Sequence, residues 1–520
     1  MNTGLDAITT IGEQTEARSV EGIEVNKVNT VNAVNVVNAV NLGESIMARS
    51  EIVNAIMTAP HTCGSDGMWE RGDAVEVAVG LAMAIDVTCG AGPVCDLAEY
   101  WIYGEESGTW SVIDKATLRG IAAGWAGEPI YAENKDGEVK PRALKINNTK
   151  AYIDELEGLC AREGYGAGTF DAAPFGVAFA DGFLAIDVDK GEVALVPKAP
   201  SHLQRFGYSF DYASDETELV APLFERYIST LWDLDGDELS RRIMLVQEWM
   251  GLAILGLSTR YHRALVLRGK KGSGKSTFID ILKGLLPGGA ANGEASVKPE
   301  QMGDDPFAYK LAFARINAVY EGEDKPIQNQ ARIREIISGE PITINIKYRP
   351  EPITTRITCA HIFAYNDLPS VPGAHAAFWD RFIVLDFDKS VRGTVAMVEQ
   401  LAKKILAAER AALVRWCIDG ALRALERGGY DIPASVDVLL REWAGEADGV
   451  SSWVGELTRP GEDEWTDSSL LYERYREWAT KTGQHPVSQK VFSRRLRHID
   501  NVLERKHPST RRAQVNLVML

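Results

Sequence analysis

The chain has 520 residues, 73 of them acidic and 56 basic, for a net charge of −17, and 45% of its side chains are apolar. That balance excludes general affinity for polyanions, so any nucleic-acid contact has to be local. No apolar run reaches the roughly 18 residues that span a bilayer, and residues 1–6 lack the basic and apolar regions of a secretory leader, so a cytoplasmic protein is expected.

Length alone suggests about three or four domains. Six cysteines, at 63, 89, 95, 160, 359 and 417, are too scattered for a disulfide framework in so long a chain, and reduced thiols are expected. His61, Cys63, Cys89 and Cys95 could be assembled into a zinc site, but their spacing matches no common finger.

In chain order, residues 25–42 are six copies of a Val-Asn-x triplet. A period of three suits neither helix nor strand, so residues 1–44 read as a low-complexity, disordered tail, or else as a short segment that pairs with something. Two amphipathic stretches, 45–59 and 71–85, predict helices. Alternation in 176–186 predicts short strands joined by a tight turn. Residues 240–256 form a helix that leads into the apolar run 264–267, read as a short buried strand. From 261 to about 390 strands and helices alternate, the pattern of an α/β sheet. Helices resume over 394–427, residues 428–433 break them, and 458–464 read as an exposed connection before a compact helix, helix, strand module.

The most specific signal is Gly269-Lys270-Lys271-Gly272-Ser273-Gly274-Lys275-Ser276-Thr277, which fits GxxxxGK[ST] between that strand and a helix. Glycines 269, 272 and 274 let backbone N–H groups turn inward around a polyphosphate, with Ser273 and Thr277 in the same cradle. Lys275 would reach the outer phosphates, and Ser276 can hold Mg²⁺ at the helix N-terminus. ATP with Mg²⁺ is the expected ligand.

Partners for such a loop follow downstream. The strand 316–320 ends in Glu321-Gly322-Glu323-Asp324. Glu321, with Glu323 second, could hold Mg²⁺ or orient the attacking water, although a solvated acidic turn would look the same. The strand 357–365 ends in Asn366-Asp367-Leu368-Pro369, whose amide can bond both a water and a phosphate oxygen, or be a turn residue only. Arg381 precedes another apolar strand and suits transition-state charge, unless it merely pairs with Asp380. Between them, Ile342, Ile344 and Ile346 share one face of a hairpin arm ending in Lys347, Tyr348 and Arg349. Two cations flanking an aromatic ring suit a nucleic-acid strand; a solvated strand end with a packed tyrosine is the alternative.

From 481 to 512 there are nine basic residues against two acidic ones. A helix near 488–498 would carry Lys490, Arg494, Arg495 and Arg497, either toward DNA or against an acidic neighbour.

The ordered set resembles the superfamily-3 helicase half of phage and plasmid primase-helicases, the group that includes poxvirus-type helicase-primases. The matching pieces are residues 269–277 as Walker A, Glu321 as the end of Walker B, Ser338-Gly339-Glu340 with Lys347 as the hairpin motif, Asn366-Asp367-Leu368-Pro369 as motif C, and Arg381 as the finger. Gly182-Phe183-Leu184-Ala185-Ile186, His202 and Gln247-Glu248-Trp249-Met250-Gly251 are similar to the domain that precedes the helicase in that family, so the likeness spans residues 95–430. Residues 470–496 look like the winged-helix module that often ends these proteins.

The resemblance implies an AAA+ type P-loop ATPase core (236–430), an α+β N-terminal domain (45–235) and a C-terminal winged-helix DNA-binding domain (446–520). It implies hexameric rings that translocate on single-stranded DNA and also meet double-stranded DNA, for replication of a phage, plasmid or mobile element in a bacterial host cell. A separate primase would be a further partner, since no carboxylate set for priming is visible before residue 95. Two rivals differ in kind: an ATP-switched origin-binding protein that does not unwind, and a small-molecule P-loop kinase, for which motif C, hairpin and finger would be accidental.

Overall fold

The computed structural model describes residues 45–62, 69–133, 139–146, 149–212, 220–289, 293–322, 325–347, 351–371, 374, 376–387, 389, 400–461, 464–482, 486–497, 499 and 502–520. The Val-Asn-x tail lies outside them. Met1–Ala48 and Arg49–Leu520 are separate compact units, and everything below concerns the second.

Its first part is helical and β-rich. The helix Ala74–Cys89 starts where Asp73 accepts from Glu76 N and stops at Gly90, whose φ of 71° ends it in the left-handed conformation that glycine adopts without strain. A three-stranded antiparallel sheet follows, Val94–Asp96, Glu99–Gly104 and Thr109–Ile113. Gly176–Phe179 and Gly182–Asp187 form the expected tight hairpin, inside a five-stranded sheet that also takes in Gly288–Gly289. Because Gly288–Gly289 pairs with Phe206–Gly207, the segments before and after residue 236 share one sheet.

Five strands form the central sheet: β1 (Ala264–Gly269), β2 (Glu294–Ala295), β3 (Ile316–Val319), β4 (Ala360–Tyr365) and β5 (Phe382–Phe387). All neighbours run parallel, in the order β2-β3-β4-β1-β5. The chain is thus a mixed α/β protein with a parallel sheet. β3, β4 and β5 are buried along their whole length, as parallel strands covered on both faces must be. Alternation sorts their side chains: Leu265, Leu267, Ile362 and Leu385 enter one core, Ala264, Val266, Phe363 and Val384 the other.

The first face is covered by α1 (Gly236–Leu255), α2 (Lys275–Leu285) and the long α4 (Leu401–Arg427), whereas α3 (Gln330–Ser338) and α5 (Ala434–Leu457) serve the second. α1 and α4 lie so close that a Cβ on Gly251 would sit 2.0 Å from Cys417 O, and one on Gly420 2.6 Å from Gln247 C. Their seam holds the buried Glu248 carboxylate, which takes Arg427 Nη2 at 2.6 Å and Asp431 N at 3.1 Å. A charge that deep needs this pairing, which is why the Gln247-Glu248 segment is polar inside an apolar helix.

Beyond α5 the chain forms helices Ser468–Lys481 and Gln489–Leu496 and a ribbon of Glu504–Lys506 against Ala513–Val515. They enclose a separate core that includes Trp453, Leu471, Tyr475, Phe492 and Val515. Residues 458–464, read from their polar and Pro-Gly content as an exposed connection, begin instead as a strand: Thr458–Pro460 pairs with Leu517–Met519 and buries Thr458. The partner strand lies almost sixty positions away, so nothing local announced it.

Among the described residues no helix is long and apolar enough to cross a membrane. Cys89, Cys95, Cys160, Cys359 and Cys417 are buried free thiols. Cys63 lies outside the described residues, His61 Nε2 is 2.9 Å from Glu128 Oε2, and no described group of three His, Cys, Asp or Glu is placed to hold a metal.

Candidate functional site

The glycine-rich loop runs from the C-terminal end of β1 into α2. A Cβ on Gly269 would meet Phe387 O at 2.3 Å, so only glycine lets β1 end flush against β5. Gly272 and Gly274 have φ of 86° and 98°, values that L side chains adopt only under strain. Gly274 is the N-cap of α2 and offers no side chain to the first helical N–H groups, which therefore point into the loop with the positive end of the helix dipole. Tyr227 O–H donates to Gly274 O at 3.0 Å and braces the loop from behind.

Lys275 is only 7% exposed. Its Nζ donates to Gly269 O, to Lys270 O at 3.1 Å and to Asn366 Oδ1 at 3.3 Å. Burial holds its pKa below the ordinary lysine value, partly offset by the Glu321 carboxylate. The Ser273 hydroxyl is buried and has no hydrogen-bond partner among the described residues. Ser276 is exposed in the first turn of α2, and Thr277 is half-buried.

Two more strand tips bring their polar groups here. β4 lies between β1 and β3, so Asn366, just past its end, stands between the loop and Glu321. Its amide Oδ1 accepts from Lys275, and its Nδ2 donates to Glu321 Oε1 at 3.4 Å. One amide thus faces a cation with its oxygen and an anion with its nitrogen. Glu321 is held on both flanks. Tyr320 O–H donates to Asp280 Oδ1 on α2 at 2.5 Å, and Gly322 N donates to Ala364 O at 2.8 Å.

Gly322 is required by packing, since a Cβ there would lie 1.9 Å from Tyr365 Cε1. Gly322→Ala is therefore expected to destabilise the fold by about 1–3 kcal/mol, the usual cost of overfilling a packed site. Gly429→Ala is the control, because nothing lies within 4 Å of a Cβ there. Thermal unfolding of both variants checks this, and an unshifted Gly322→Ala melting point would remove the packing argument.

The other expected residues are placed as follows. Glu323, Tyr348 and Arg349 lie outside the described residues. Lys347 is exposed beyond the hairpin of Pro341–Ile344 and Ile353–Arg356, in which Ile342 and Ile344 are buried as their alternation predicted. Arg381 is not beside Lys275. It stands just before β5, with its carbonyl accepting from Ala264 N at the start of β1, whereas the loop leaves the other end of that strand. Six residues of strand separate the two, about 20 Å. Arg381 Nε donates to Ser338 Oγ at 2.9 Å, at the end of α3.

The C-terminal helix departs from expectation in one residue. Arg495, read as a nucleic-acid contact, is 6% exposed. It follows Phe492 by three positions and precedes Leu496 by one, so helical spacing puts it on the core-facing side. Lys490 is exposed. Arg494 lies 3.5 Å from Asp367, beside Asn366, and Arg497 2.7 Å from Glu504, so these two do meet acidic neighbours.

Sequence reading missed the brace from Tyr227, the Tyr320–Asp280 clamp and the Asp367 contact. Each joins residues distant in sequence and ordinary in composition, so no local signal marked them.

A family model described as a family of unknown function (DUF5906) matches residues 267–380, the stretch from the glycine-rich loop to Asp380. No curated protein matches the chain. Among solved structures it is similar to the apo structure of the NrS-1 C terminal region (305–718), at 12% identity and a TM-score of 0.40, over 86% of this chain and all of that one. A second, the A form of the same region, aligns at 13% identity and a TM-score of 0.38, over 84% of this chain and 98% of that one.

Proposed function

We propose that the chain is an ATP-dependent, ring-forming DNA helicase with an AAA+ type core and a C-terminal winged-helix domain, serving the replication of a phage, plasmid or other mobile element. The observation that carries this reading is the line of Lys275, Asn366 and Glu321 across the tips of three adjacent parallel strands, beside a glycine-rich helix N-terminus. Such a crevice at the carboxyl ends of parallel strands is where α/β sheets bind nucleotides.

The donor set suits a triphosphate. The backbone N–H groups of the loop would meet phosphate oxygens, as would the Ser273 hydroxyl, which has no hydrogen-bond partner among the described residues, and Lys275 would neutralise the outer phosphates. Ser276 and Glu321 are the residues that would hold Mg²⁺, which when bound withdraws charge from the phosphate oxygens. Glu321 orients the attacking water, and Asn366 reports to Glu321 whether Lys275 is engaged by the γ-phosphate. Arg381 belongs to the next subunit's site, because its own chain's loop lies at the opposite ends of the strands.

The Lys347 hairpin is the element that grips the DNA strand. Its second arm, Ile353 and Thr354, borders a cavity of about 160 Å³. Lys347→Ala should lose DNA-stimulated hydrolysis while the ring, followed by size-exclusion chromatography, persists. Unchanged stimulation would reject the hairpin role.

Strand separation on a forked duplex with ATP tests the whole reading. An ATP-driven switch would hydrolyse without separating strands, and a small-molecule kinase would run as a monomer or dimer.

A further inference from the structure

The turn that carries Asn366 and the segment that carries Arg381 lie at opposite ends of the central strands, yet one buried side chain touches both. Trp443, on α5, is fully enclosed in the core of the second face. Its indole Nε1–H donates to Pro369 O at 2.9 Å, in the turn that begins at Asn366. Its ring also meets Trp379 edge-on, with centroids 5.0 Å apart, and Phe382 at 5.5 Å, the two aromatics that bracket Asp380 and Arg381.

Burial alone would be served by phenylalanine or leucine. What the indole adds is one N–H, and a buried N–H has to find an acceptor. Here the acceptor is the carbonyl of Pro369, and the next residue is fixed too, because Ile327 N donates to Ser370 O at 2.9 Å. Leu368, Pro369 and Ser370 are buried while Asn366 and Asp367 are exposed, so the turn is gripped at its far end and open at the site. On the arginine's side, Phe382 packs against Phe378 as well, with centroids 5.0 Å apart, and Arg381 Nε reaches Ser338 Oγ.

We infer that Trp443 is a positioning residue that ties the Asn366 turn, at the chain's own nucleotide site, to the segment that presents Arg381 to the neighbouring subunit's site. The inference rests on the ATPase reading above and adds a regulation to it. When Lys275 leaves Asn366 for a phosphate, the turn shifts at Pro369, and a rigid indole in a close-packed core passes that displacement to Trp379 and Phe382. Occupancy of one site then sets how well an arginine is offered to the next, and hydrolysis rises more steeply than a single independent site would allow.

The test is the rate of ATP hydrolysis by the full chain as a function of ATP concentration, with melting temperature and binding of a fluorescent ATP analogue followed in parallel. The wild type should give a Hill coefficient above about 1. Trp443→Phe keeps an aromatic ring in the core and removes the N–H donor, which cuts the link at Pro369. Trp379→Leu cuts it at the other end and leaves the Pro369 bond in place, so it decides the matter if Trp443→Phe does not fold. Both variants should bring the coefficient down to about 1 while analogue binding keeps its wild-type affinity. A merely structural tryptophan would lower the melting temperature and leave the coefficient alone. A wild-type coefficient retained by either folded variant, or non-cooperative hydrolysis by the wild type, overturns the link and leaves the ATPase standing, whereas a wild type that neither binds nor hydrolyses ATP removes both.

Discussion

Arg381→Ala should abolish ATP hydrolysis while leaving ATP binding intact, a loss of about 10³–10⁵-fold if the residue acts as an arginine finger. The size of the effect follows from what a finger guanidinium would do: it would meet charge that develops only as the phosphoryl group transfers, so its removal would cost rate and not affinity. In the proposed mechanism it comes from a neighbouring subunit. Arg381 lies at the start of β5 and Lys275 beyond the end of β1, so no rotamer joins them within one chain. Mixing Arg381→Ala with Lys275→Ala protein should therefore restore part of the activity, because some junctions then pair an intact loop with an intact arginine. The bond from Arg381 to Ser338 also ties β5 to α3, so the melting temperature has to be measured beside the rate. Full activity in Arg381→Ala removes the finger, and failure of the mixture to recover argues against a shared site.

Lys275→Ala should lose both nucleotide binding and hydrolysis without losing stability. The side chain is buried, and burial disfavours its charged form, so removing it takes a desolvated charge out of the fold. Its hydrogen bonds to Gly269 O, Lys270 O and Asn366 are lost in return, and the melting temperature should stay close to the wild-type value. A variant that still hydrolyses ATP would put the catalytic site elsewhere. One that fails to fold would make Lys275 a structural residue, and binding of a fluorescent nucleotide analogue by the folded protein separates the two cases.

The central sheet was legible in the sequence because parallel strands covered on both faces read as unbroken apolar runs. Ala264-Leu265-Val266-Leu267 and Phe382-Ile383-Val384-Leu385 could not be much else once the turn and helix signals around them were placed. The tips of those strands were legible too, since a glycine, an acid or an amide directly after an apolar run stands out. What the sequence could not carry was pairing across distance. Gly288–Gly289 joins a sheet built mostly by residues 176–207, and Thr458–Pro460 finds its partner at the far end of the chain.

Side-chain direction was the other gap. A run of arginines reads as a basic helix, yet Arg495 turns inward by helical spacing, while Arg511 and Arg512 stand out on a turn that composition alone would not single out. Gly322 makes the same point on a smaller scale. It separates two acids in sequence, and the Tyr365 ring beside it is the reason that no other residue fits.

The most direct test of the central claim is the rate of ATP hydrolysis by the purified protein with and without single-stranded DNA, with Lys275→Ala as the blank. A rate that rises with DNA and vanishes in the variant is the predicted result, and it ties the Lys275, Asn366 and Glu321 site to a DNA-dependent motor. Hydrolysis indifferent to DNA, or none, would contradict that account and return weight to a switch or a kinase.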